Sequence, residues 1–102
     1  MAANELRVGD IGTAIKCTIK DDTTSVNLVG CEVAQLIFTK PDGTSVTRDA
    51  SFFTDGSDGV IQFVTTSGFL DQVGTWQIEG YIEMGGGKWK SDIKKTKVHR
   101  VL

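Results

Sequence analysis

The feature that most constrains this chain is a two-residue period. From Thr75 to Glu83, Trp76, Ile78, Gly80 and Ile82 fall on one face, while Gln77, Glu79, Tyr81 and Glu83 fall on the other. Successive side chains of an extended strand point to opposite sides, so this alternation marks a strand with one face in a core and one in water. Thr13–Lys20 repeats the pattern, setting Ile15, Cys17 and Ile19 against Lys16, Thr18 and Lys20. Val60–Thr65 alternates as well and is rich in β-branched residues. Cys31–Thr39 differs, with Ala34, Leu36 and Phe38 on one side and Val33 and Ile37 on the other. Apolar residues on both faces predict a central strand, or one covered by a neighbour. No segment of ten or more residues carries a helical stripe.

Turn chemistry divides these strands. Lys40-Pro-Asp-Gly43 presets φ at proline, tolerates a turn at aspartate and offers glycine for a positive φ. With Ser45–Arg48 beyond it, the segment reads as a β-hairpin. Asp21–Ser25 is a polar turn, Val26–Gly30 a short apolar piece ended by glycine, and Thr54–Gly59 a longer polar loop. Gly68–Gly74 reads either as a single helical turn or as a bulged connection. Met84–Lys88 turns the chain back, and Trp89–Leu102 supplies one or two last strands. About seven or eight strands, with turn signals every 8 to 12 residues or so, predict an all-β fold, an antiparallel β-sandwich. At 102 residues the chain has room for one core, so residues 1–102 read as a single domain, with residues 1–7 as a flexible N-terminal arm.

The formal net charge of −2 hides an uneven distribution. From Lys88 to Leu102 six basic residues and one acid give +5; the preceding 87 residues, with five basic and twelve acidic, carry −7. Segregation of this kind guides head-to-tail association or an approach to anionic surfaces. Met1–Arg7 has no apolar stretch of the secretory type, and no apolar run approaches the ~20 residues that cross a bilayer. Cys17 and Cys31 are therefore expected as free thiols, with pairing the alternative.

Candidate chemistry is sparse. His99 is the only histidine, and no serine occupies a Gly-x-Ser-x-Gly elbow, so His99 reads as an ordinary strand residue rather than a catalytic base. One histidine and two distant cysteines lack zinc-ligand spacing. The acidic loop Asp55–Asp58, with Asp49, lacks the alternation and terminal glutamate of a calcium loop and reads as a solvated turn. Gly85–Gly87 lies between strands and reads as a hairpin, not a phosphate cradle. No catalytic residue, metal site or cofactor is expected. Trp76 shares a face with Ile78 and belongs to the core. Trp89, between Lys88 and Lys90, is either core or surface, and with Tyr81 it is a candidate contact patch for sugar or protein. Lys94, Lys95, Lys97 and Arg100 form a candidate basic docking strand. Edge protection or a subunit contact is the preferred reading over nucleic-acid binding, because the body of the domain is acidic.

The order of the pieces resembles a known family. Val8-Gly-Asp-Ile-Gly-Thr13 opens the domain, Val26-Asn-Leu-Val-Gly30 follows an acidic turn, and an apolar strand ends in Phe38-Thr-Lys-Pro-Asp-Gly43. Gly59-Val-Ile-Gln-Phe63 and Val73-Gly-Thr-Trp-Gln-Ile-Glu79 come next. From about Val8 to Val98 this arrangement is similar to the N-terminal immunoglobulin-like domain of the baseplate upper protein family of tailed bacteriophages. The resemblance implies an immunoglobulin-like sandwich and a non-enzymatic structural role in a virion assembled in the host cytoplasm. It also implies docking on other virion proteins and self-association in the particle; from the residues themselves, neither a membrane nor nucleic acid is expected as a partner. A carbohydrate-binding or adhesion module is the alternative reading.

Overall fold

In a computed structural model the described residues are 6–21, 24–91 and 93–100. The strands are β1 (Leu6–Arg7), β2 (Ala14–Thr18), β3 (Lys20–Asp21), β4 (Thr24–Ser25), β5 (Val33–Thr39) and β6 (Ser45–Asp49). They continue as β7 (Ser51–Phe52), β8 (Val60–Val64), β9 (Gly74–Met84), β10 (Gly87–Lys90) and β11 (Lys94–His99). Four of these eleven are two-residue pairings; of the other seven, β2, β5, β8 and β9 fall on the patterned segments, β6 on the expected hairpin, and β10 and β11 on the last strands.

The larger sheet runs β1-β11-β9-β5-β6, with β10 also on β9, and the smaller runs β2-β8-β7; β3 and β4 form a separate ribbon. The two sheets face each other as a sandwich. From the large sheet Leu36, Phe38, Trp76, Ile78 and Ile82 are buried, and from β2 and β8 Ile15, Cys17 and Ile61 meet them. Each fully buried aliphatic or aromatic side chain of this kind contributes about 1.5–3 kcal/mol of transfer free energy. β5 takes the central position expected, between β9 and β6; Leu36 and Phe38 on one face are buried, whereas Val33 and Ile37 on the other are half-buried. Its hairpin with β6 pairs Thr39 with Ser45, and Gly43 at φ 91° donates its amide to the Lys40 carbonyl at 2.9 Å.

Gly68–Gly74 contains no helix; it is an irregular connection that opens on a turn, the Phe69 amide donating to the Thr66 carbonyl at 3.2 Å. Its Phe69 and Leu70 turn inward as a plug. Phe69 packs edge-on to Phe38 and tilted to Phe63, both at 4.8 Å between ring centroids, and lies 5.9 Å from Trp76. The Lys40–Asp71 ion pair at 3.0 Å, and the Gln72 amide donating to Asp42 at 2.9 Å, tie this loop to the β5–β6 turn. Gly59 fixes another junction. At φ +74° a Cβ there would stand 2.7 Å from the Val26 carbonyl oxygen, so the close approach of the two chain segments requires glycine.

Two expectations need correction. Leu6 and Arg7, assigned to a flexible arm, pair in parallel with Val98 and His99, and Leu6 is only 5% exposed. Leu6 is apolar and finds the uncovered edge of β11, which a short local pattern does not reveal. That pairing also makes the sheet mixed rather than purely antiparallel. The rest of the expected arm, residues 1–5, lies outside the described residues, as do residues 22–23 of the polar turn, Asp92 and residues 101–102 of the last segment.

Candidate functional site

Both aromatic candidates sit around β9, but the pleat separates them. In the β9–β10 ladder Trp89 stands opposite Ile82 and Lys90 opposite Tyr81. Directly opposed residues share a face, so Trp89 lies on the side of buried Ile82 and Tyr81 on the outer side. Trp89 is 40% exposed, its ring lying across Gly87. Tyr81 is half-buried and donates its phenol to Glu83 at 2.6 Å. That hydrogen bond, reinforced by burial and the carboxylate charge, raises the Tyr81 pKa. The two rings therefore do not form one stacking surface, and no observation favours a sugar platform.

The basic candidates divide in the same way. Lys95 and Lys97 pair with Gln77 and Thr75 on the outer face, whereas Lys94 pairs with Ile78 on the inner one. Arg100 follows the strand and its carbonyl accepts from the Arg7 guanidinium at 3.3 Å. β1 pairs with β11 only at Val98 and His99, so in the described ladders Lys94–Lys97 are paired on the β9 side alone. His99 is flanked by Arg7 in the parallel ladder, and its carbonyl accepts the Val8 amide at 3.0 Å. Among the described residues no group of three or more His, Cys, Asp or Glu is arranged to hold a metal. Both cysteines are free. The Cys17 thiol donates to Ser91 Oγ at 3.1 Å, and Cys31 to the Val33 carbonyl at 2.9 Å.

One concavity is a feature the sequence did not mark. On the side of the sandwich where β2 faces β10 and β11, a groove of about 730 Å³ is lined by Lys16, Lys20, Lys90 and Lys94, with Phe53 and Ile93 among its apolar walls. Lys16 Nζ sits 3.7 Å from the centroid of the Phe53 ring, a cation–π contact. Lys94 Nζ reaches across to the Lys16 carbonyl at 3.4 Å. Lys90 is shared with Glu79 on the outer face at 4.0 Å. The groove thus unites two lysines from the acidic body of the sequence with two from its basic end. Lys16 and Lys94 lie 78 positions apart, and no local motif connects them.

The acidic loops are self-contained. Asp42 accepts from the Thr44 hydroxyl at 2.7 Å, from the Thr44 amide at 2.9 Å and from Gln72. The Thr44 hydroxyl is the main cause of its lowered pKa. Asp55 is lowered chiefly by the Ser57 hydroxyl in the same fashion. Their oxygens are occupied as turn acceptors, which is the solvated-turn role expected of them.

Two comparisons bear on this arrangement. A search of curated proteins found no match. The family model described as the BppU N-terminal domain, where BppU is the baseplate upper protein, matches residues 2–97, nearly the whole chain. With the all-β sandwich and the ordered turn motifs already in place, this match identifies the chain as a member of the BppU N-terminal domain family of phage baseplate proteins.

Proposed function

We propose that the chain is a non-enzymatic docking and assembly module of a tailed-phage virion, binding other virion proteins and associating with further copies of itself in the particle. The family match across residues 2–97 carries this reading. The fold supports it, because β2 offers a strand edge paired on one side only and the adjoining groove offers concentrated charge. Assembly takes place in the host cytoplasm, where free Cys17 and Cys31 are the expected state.

The test is to incubate the purified chain with proteins released from purified virions, crosslink, and identify the partners by mass spectrometry. A reproducible crosslink to a tail or baseplate protein is the expected result. No affinity for any protein of its own virion ends the docking reading. Light scattering at low and then high salt tests self-association: oligomers that dissociate as salt rises are expected, since screening weakens exposed charge contacts. A monomer in both conditions removes self-association from the proposal.

A further inference from the structure

The groove beside β2 has three properties that together specify an occupant. The first is an open strand edge. β2 pairs with β8 on one side, and the Thr65 amide bonds the Thr13 carbonyl while the Ile19 amide bonds Gly59. Odd-numbered residues therefore direct their main-chain groups at β8, and the main-chain groups of Ala14, Lys16 and Thr18 point to the free edge. The 3.4 Å contact from Lys94 to the Lys16 carbonyl runs along that edge and confirms the direction.

The second property is charge. Lys16, Lys20 and Lys94 converge here, and no carboxylate stands among the described residues that line the groove. The third is an apolar floor. Phe53 and Ile93 are 47% and 56% exposed at the same place. Lysines on an edge strand also discourage unwanted pairing. Lys16 stacks on Phe53, yet edge protection alone gives no reason for that ring to stay 47% exposed with Ile93 open beside it, nor for Lys94 of the other sheet to lean over the same edge.

We infer that this groove docks an extended, carboxylate-rich segment of a partner protein, which adds to β2 as a strand. Its main chain pairs with Ala14, Lys16 and Thr18. Its carboxylates meet Lys16, Lys20 and Lys94, and an apolar side chain rests on Phe53 and Ile93. Lys94 then gives up the Lys16 carbonyl to an incoming amide and turns to a carboxylate. Main-chain pairing supplies affinity in this mode, and the alternate side chains supply selectivity. The net acidity of the domain does not oppose it, because over distances beyond about 10 Å the exposed acids are screened at ordinary salt. This inference rests on the docking function proposed above.

The experiment is an NMR titration of the isotopically labelled full chain with a synthetic peptide of ~10 residues, a typical strand's length or more, alternating glutamate and valine. Amide shifts concentrated at Ala14, Lys16 and Thr18 are expected, with affinity falling as salt rises. Lys16→Glu, Lys20→Glu and Lys94→Glu, all at exposed positions, are each expected to weaken the peptide by about fivefold, since an exposed ion pair is lost and a like-charge contact replaces it. Three titration outcomes overturn the inference. One is shifts centred on Lys95 and Lys97. Another is equal binding of a lysine–valine peptide. The last is a single-stranded oligonucleotide bound as tightly without edge-amide shifts, which makes the site a general polyanion surface. Shifts that grow with the chain's own concentration in the absence of peptide assign the edge to a second copy and likewise refute it. The virion crosslinking assay separates the two levels. If the triple Lys→Glu variant still crosslinks like wild type, the groove is refuted and docking stands. If wild type crosslinks to nothing, the docking function itself fails.

Discussion

At the residue scale, the alternating positions did what local chemistry demands. Ile15, Cys17, Ile19, Trp76, Ile78 and Ile82 are all buried, because burial of one strand face needs only the neighbours at i±2 to agree. Phe69 and Leu70 escaped notice for the opposite reason. They lie in a segment without period, and only tertiary packing makes them core, as where Phe69 meets Phe38, Phe63 and Trp76. The turn residues also carry a testable electrostatic role. Asp42 is held below the usual aspartate value of 3.8, first by the Thr44 hydroxyl, then by the Thr44 amide and Gln72. A carboxylate depressed in the folded state adds stability above its unfolded pKa, and that stability is lost as pH falls through the folded value. The urea midpoint is therefore expected to drop as pH falls below about 4. Asp42→Asn is expected to lie below wild type at pH 7 and to converge with it in strong acid. A gap between the two that stays constant with pH assigns no linkage to this carboxylate.

At the element scale, the strands were legible but their partners were not. The sequence offered one or two strands after Trp89; the structure has β10 on the far half of β9 and β11 on its near half. Nothing local encodes that division, because register across a ladder is a long-range choice. The joint between the two is Ser91. Its amide donates to the Gly80 carbonyl at 2.9 Å, and its hydroxyl oxygen accepts the Gly80 amide at 2.7 Å and the Cys17 thiol at 3.1 Å. Serine suits the position because one small hydroxyl serves both sheets, where a Cβ on Gly80 would already stand 2.7 Å from Ile19 Cδ1. Ser91→Ala leaves the buried Gly80 amide without that acceptor, and such a loss costs about 1–3 kcal/mol. Ser67→Ala, on an exposed loop, is the control and is expected to stay within ~0.5 kcal/mol. Chemical denaturation of both variants checks the difference. Equal midpoints leave Ser91 no structural role beyond its backbone.

At the scale of the whole molecule, sequence order misleads about charge and about the ends. The basic end reads as a separate patch along the chain, yet β10 and β11 fold back on β9. Lys90 comes beside Glu79, while Lys94 meets Lys16 at the groove. Proximity in the sandwich regroups what linear counting had divided. The N-terminal segment shows the same effect. Short and without a strand period, it reads as an arm, but β1 pairs with the end of β11 and Leu6 packs into the core with Val98 opposite. If that clasp holds the sheet together, deleting residues 2–7 removes a buried leucine, worth about 1.5–3 kcal/mol, and the parallel ladder with it. With an m-value of about 1–3 kcal/mol/M for a domain of this size, the urea midpoint then falls by roughly 1 M or more. Leu6→Ala alone, which keeps the backbone pairing, is expected to recover only part of the loss, because the cavity remains while the ladder is restored. An arm without a structural role leaves both midpoints at the wild-type value. A deletion and a point variant that fall equally instead locate the whole contribution in the Leu6 side chain.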